Sequence, residues 1–120
     1  MKFKLIVAFV DDRLTDKVVK AARAHGATGA TIIPAARGEG LAAPQGIFGL
    51  SVSARRDIAL FAVEERMSRL ILEEICKAGE FDKKSGAGIA IQLGLEDVAG
   101  LSSQVDKLAR DLGGARHGET

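Results

Sequence analysis

The sequence predicts an α+β domain, with two helices packed on one face of a single four-stranded antiparallel sheet. Three observations predict it. Short apolar runs rich in β-forming residues alternate with longer segments of helical period, in the order β-α-β, long interruption, β-α-β. The chain has 120 residues, which suits one domain. Hydrophobic residues make up 47% and charged residues 28%, a globular and not a disordered composition.

The first element is "KLIVAFV", residues 4 to 10, an apolar run that fits a strand covered on at least one face. Asp11 and Asp12 end it, and no small-residue cleavage site follows, so it reads as a buried strand and not as a signal peptide. In "LTDKVVKAARAHG", Leu14, Val18, Ala21, Ala22 and Ala24 fall at roughly helical spacing. Thr15 or Asp12 is the expected cap, which explains the paired carboxylates better than acid–base work does. Gly26 is the expected stop, and His25 beside it suits the negative end of the helix dipole. A second strand runs from about Thr28 to Ala35. Pro34 has no N–H to donate, so this strand lies at an edge or ends there.

A third strand is "RRDIALFAV", residues 55 to 63, with Arg55 and Arg56 as a solvated polar start. "EERMSRLILEEICKAG" is the clearest helix. Met67, Leu70, Ile71 and Ile75 form one apolar stripe, Glu64 and Glu65 suit the positive start, and Gly79 suits the end. A loop, "EFDKKSGAG", leads to a fourth strand, "IAIQL". Residues 97 to 112 carry Val98, Leu101, Val105, Leu108 and Leu112 and read as a weaker last helix. Domain 1–112 is followed by a frayed tail, 113–120.

This order is the ferredoxin-like double βαβ. Its strands carry apolar residues at successive positions, so both sheet faces are apolar while helices cover one. The second face is therefore expected against another subunit, in a closed homo-oligomer.

Composition removes several function classes. A net charge of +1, no Trp or Tyr and only five Phe argue against a nucleic-acid surface. Cys76 is the lone cysteine, expected to be buried and inert, and it excludes an internal disulfide or a cysteine-rich zinc site. No apolar run approaches the ~18 residues that cross a bilayer, so a soluble cytoplasmic protein is expected. His25 and His117 have no metal-ligand spacing, and no metal site is expected. No Ser-His-Asp, Cys-His or Walker-type pattern is present, so the chain is not expected to be an enzyme. The chain also contains no asparagine, which removes the arginine–asparagine loop of acylphosphatases, another ferredoxin-like family.

One stretch buries little for a chain this compact. "GATGATIIPAARGEGLAAPQGIFGLS", residues 26 to 51, turns after Pro34 into small residues, glycines and prolines with few charges. Gly38 and Gly40 fit either a simple turn or a close approach of backbone to a ligand. Gly86 and Gly88 fit either a turn before the fourth strand or a small anion nest of N–H groups. Lys83 and Lys84 fit a solvated loop or a phosphate clamp.

The strand "KLIVAFV", the helix "LTDKVVKAARAHG", the turn "GATGATII", the loop opening "RGEG" and the glycine loop "SGAGIAI" together resemble the PII nitrogen-regulatory signalling proteins and their PII-like relatives. The resemblance covers about residues 4 to 93. It implies a cytoplasmic homotrimer engaged in signal transduction. ATP, ADP or AMP would serve as a regulatory ligand between subunits, with no obligatory cofactor. It also implies a mobile loop, residues 37 to 54, that docks on a membrane transporter or metabolic enzyme. Ligand contacts would come from Phe9, Thr31, Ala62 and Val63 around the purine. Arg37, Gly38, Glu39 and Gly40 would contribute from the first loop, and Lys84, Gly86, Ala87, Gly88 and Ile89 from the second. Gln45, Ile47, Phe48, Ser51 and Ser53 would face the partner. Ile89 stands where the family carries a phosphate-binding lysine, and "GLEDVAGLSS" lacks the arginine pair that follows there. AMP, ADP, a cyclic dinucleotide or another small anion therefore stay open. No tyrosine is available for uridylylation. Two other readings share these features: a CutA-type divalent-cation tolerance protein, binding metal through residues such as His25, and a structural module whose loop simply docks.

Overall fold

The structure is a computed structural model and describes residues 2–36, 56–83 and 88–100. It contains β1 (Phe3–Asp11), α1 (Thr15–Ala24), β2 (Thr31–Ala36), β3 (Arg56–Glu64), α2 (Glu65–Ala78) and β4 (Gly88–Gly94). The strands form one sheet in the order β2-β3-β1-β4, with every neighbouring pair antiparallel. The α+β double βαβ read from the sequence is the observed architecture. β2 is an edge strand, and its register with β3 shifts between Ile33 and Ala36, around Pro34, as expected for a residue that cannot donate to a ladder.

The core lies between the sheet and the helices. Ile6, Ala8 and Val10 of β1 and Ala59, Phe61 and Val63 of β3 are almost fully buried, beneath Val18 and Ala22 of α1 and Ile71 and Ile75 of α2. Ile6 pairs with Phe61 and Ala8 with Ala59, so a large pair sits beside a small one. Such alternation lets helix side chains interdigitate with the sheet. Each large aliphatic or aromatic side chain buried this way contributes about 1.5–3 kcal/mol.

The helix details differ from the sequence expectation. In α2 the inward face is Ser68, Ile71 and Ile75, while Leu70 is 43% exposed. Ser68 is tolerated inside because its hydroxyl donates to the Glu65 carbonyl at 2.8 Å. Glu64, expected to suit the positive helix start, also caps α2, its carboxylate accepting from the Arg66 N–H at 2.7 Å. The start of α1 carries no side-chain cap. The Thr15 hydroxyl is engaged elsewhere, donating to Asp57 Oδ2 at 2.6 Å and tying α1 to β3.

Both helices end in the same hydrogen-bond pattern. At α1, Ala27 N–H donates to Ala22 O at 3.0 Å and Gly26 N–H to Arg23 O at 3.3 Å; Gly26 has φ +120°. At α2, Phe81 N–H donates to Cys76 O at 3.1 Å and Glu80 N–H to Lys77 O at 3.2 Å; here the positive φ, +56°, falls on Glu80. This is the Schellman arrangement. Gly79 ends the helix as expected, with φ −83°.

Residues 97–100 are not helical, and Gly100 has φ +89°. That conformation does not continue an α-helix, so the last helix does not begin at residue 97. The rest of that segment, and the tail 113–120, lie outside the described residues. No described helix is long and apolar enough to cross a membrane.

Candidate functional site

Register places both glycine-rich segments at one end of the sheet. β1 and β2 finish there and β3 and β4 begin there, since Asp11 pairs with Arg56, Ala36 with Arg56, and Val10 with Gly88. The connections 37–55 and 84–87 therefore leave from and return to this end. Arg37, Gly38, Glu39, Gly40, Lys84, Gly86 and Ala87, and Gln45, Ile47, Phe48, Ser51 and Ser53, expected to face a partner, lie outside the described residues.

The remaining candidates fall into separate places. Phe9, Gly88 and Ile89 come together at the loop end, with Phe9 paired directly to Ile89. Thr31 and Ala62 are diagonal neighbours across β2 and β3, because Thr31 pairs with Leu60. Ala62 pairs with Leu5, well down the sheet from Phe9. Val63 points to the helix side and is 1% exposed. One protomer thus holds two groups of candidate residues on different halves of the sheet.

Gly88 pairs with Val10 on the helix side, whereas Phe9, Ile89, Thr31 and Ala62 share the face that bears no helix. Its rows read Ile33, Ile58, Phe9, Ile89; then Thr31, Leu60, Val7, Ile91; then Ala62, Leu5, Leu93. Every residue in them except Thr31 is apolar, and none is fully buried. Among the described residues, no element packs on this face. An apolar surface of this extent is what a protein interface presents.

Charge gathers at the loop end. Arg13 grips Asp11 in a two-pronged pair, Nε to Oδ1 at 3.0 Å and Nη2 to Oδ2 at 2.6 Å. Hydrogen bonding and charge from Arg13, with the Arg56 charge behind them, hold the Asp11 carboxyl down to about 2. Arg56 is only 6% exposed and is not the solvated strand start expected of it. Its place opposite Asp11 explains this, because a cross-strand opposite charge accompanies it into the protein. The sequence gives no sign of that pairing without the register.

Other candidates resolve into structural roles. A methyl group at Gly88 would lie 2.6 Å from the Phe9 carbonyl oxygen and would overlap the Phe81 ring, so packing alone requires glycine there. His25 Nδ1 lies 2.9 Å from Ala21 O, and Nε2 lies 3.6 Å from Glu74 Oε1, joining α1 to α2. Cys76 is half-buried. Desolvation, with the Asp82 carboxylate nearby, pushes its thiol pKa up, which makes it a poor nucleophile at neutral pH. Lys83 is exposed. Among the described residues, no group of three or more His, Cys, Asp or Glu side chains is placed to hold a metal ion.

Neither a protein-family model nor a curated protein matches the sequence. Solved structures do match. A protein from Thermus thermophilus described as a PII-like signalling protein aligns with TM-score 0.59 and 26% identity, over 82% of this chain and 91% of its own. The chain resembles the PII-like signalling proteins. CPII from Thiomonas intermedia, solved with ADP, AMP and acetate, aligns with TM-score 0.58 and 17% identity, over 80% of this chain and 90% of its own. At that identity the second match speaks for the PII-like fold alone.

Proposed function

We propose that the protein is a PII-like signal-transduction regulator. Three chains associate through their bare sheet faces, and an adenine nucleotide binds in each cleft between neighbours. The segment 37–54 then reports occupancy to a transporter or metabolic enzyme. The observation that carries this reading is the split of the candidate residues. Phe9 and Ile89 lie on one half of an apolar, helix-free face, and Thr31 and Ala62 on the other. A ligand that uses both groups needs two protomers, and the face that joins protomers is the one on which both groups lie. The ADP and AMP bound to CPII support an adenine nucleotide as the ligand class.

The mechanism is linkage. A nucleotide that contacts both protomers binds the assembled form better than the separated one, and biases the loop whose root shares its cleft. Chromatography with light scattering is expected to give the mass of three chains, and calorimetry to give heat with ATP, ADP or AMP. Val7→Lys, placing a charge mid-face, is expected to abolish both. A single-chain mass together with no heat from any of the three nucleotides overturns the reading.

A further inference from the structure

Phe81 holds together two parts of the chain that the sequence separates. Its N–H closes the end of α2 on Cys76 O, which turns the side chain back onto the core cluster. One edge of its ring, Cδ1 and Cε1, lies over both Gly79 and Gly88. A methyl group at Gly79 would come 2.9 Å from ring Cδ1, and one at Gly88 would come 2.6 Å from it. Neither glycine therefore tolerates a side chain while the ring keeps its seat. Through this contact residues 82–87 leave and return to a single point, whatever path they take between. Holding the ends of a loop together removes most of its closure cost. On the other side of the strand that Gly88 begins, Phe9 faces Ile89.

We propose that Phe81 is a positioning residue for the loop-end half of the site. Seated on Gly79 and Gly88, its ring fixes where the chain enters β4. It thereby sets how tightly an adenine nucleotide is held beside Phe9 and Ile89. The proposal rests on the nucleotide reading above for its ligand, but not for its geometry. A strand start held in place before the ligand arrives has less freedom to lose on binding.

The experiment compares wild type, Phe81→Ala, Phe81→Leu and Gly79→Ala by ADP calorimetry, light scattering and amide hydrogen exchange. Phe81→Ala is expected to weaken ADP binding roughly tenfold with the oligomer unchanged, and to speed exchange at residues 88–90 while α1 and β3 keep their protection. Phe81→Leu, which still fills the seat, is expected to restore most of the affinity. Gly79→Ala, whose methyl would meet the ring first and no strand backbone, evicts the ring and is expected to behave like Phe81→Ala. Equal ADP affinity in wild type and Phe81→Ala overturns the proposal, and so does a uniform rise in exchange, which marks a merely structural role. If Phe81→Ala does not fold, Phe81→Leu and Gly79→Ala decide in the same way. If wild type binds no ADP, the nucleotide reading fails by itself. Exchange at residues 88–90 then decides the positioning role: faster in Phe81→Ala upholds it, unchanged overturns it.

Discussion

The two β-α-β halves are built on one plan and supported unequally. β1 and β3 bury the same positions, with Ile6, Ala8 and Val10 answered by Ala59, Phe61 and Val63. Each is followed by a helix that stops in the same six-residue hydrogen-bond motif. Beyond that they diverge. α2 is longer, is capped by Glu64, and packs on β1, β3 and β4. α1 starts without a cap and packs mainly on α2. β2, the outer strand of the first half, pairs only with β3 and is exposed from Thr31 to Pro34. β1, β3 and α2 are thus the scaffold, and α1 and β2 lean on it. The loop 37–55 joins the least supported strand to one of the two central ones.

The largest expected effect comes from striking the scaffold. Phe61 is fully buried in the centre of β3, and Phe61→Ala should lower stability by about 3–5 kcal/mol. Urea unfolding measures this, and a loss under about 1 kcal/mol would mean that β3 is not the central support.

Next come the two helix ends, where one motif predicts effects of opposite sign. Gly26 sits at φ +120° with Met67 and Ile71 atoms 4.0 Å from where a Cβ would stand. The space is therefore sufficient and only the backbone objects. Gly26→Ala should cost roughly 1–2 kcal/mol. Glu80 already bears that strain at φ +56°. Glu80→Gly relieves it but gives the unfolded chain more freedom, for a net gain of about 0.5 kcal/mol. Thermal melts of the two variants should move in opposite directions, and a shared direction would refute the comparison.

The smallest effect concerns acid. The Asp11 carboxyl is held at about 2, below its ordinary 3.8. The stability it adds is complete above the ordinary value and is lost as pH falls through the folded one, between about pH 4 and 2. Arg13 is exposed to solvent, so screening keeps the contribution below about 1 kcal/mol. Asp11→Asn should flatten the stability–pH curve in that window alone. An equally steep curve in the variant would assign the acid sensitivity to other carboxylates.

Much of the fold was legible because strands and helices announce themselves by period. "KLIVAFV" and "RRDIALFAV" read as strands, and the edge position of the second strand followed from Pro34. What depends on register was not legible. Arg56 reads as a solubilising charge until it is seen opposite Asp11, and Leu70 fits the inward stripe as well as Ser68 does until the helix is rotated onto the sheet. Gly88 could be singled out, but not for its reason, since a ring from residue 81 is invisible to spacing. The apolarity of both sheet faces was readable from runs without alternation. That the candidate residues would divide between two halves of one face was not, because pairing partners come from distant parts of the chain.

Pro34 has a consequence for crowding. An outer strand with an unbroken ladder of donors would welcome another molecule's strand, and then another, in an open-ended stack. Here the rim is interrupted where the proline stands and the register slips. Copies meeting side by side find a faulty template, while copies meeting flat find a continuous greasy plane. Association is steered toward contacts that use themselves up, and away from fibres.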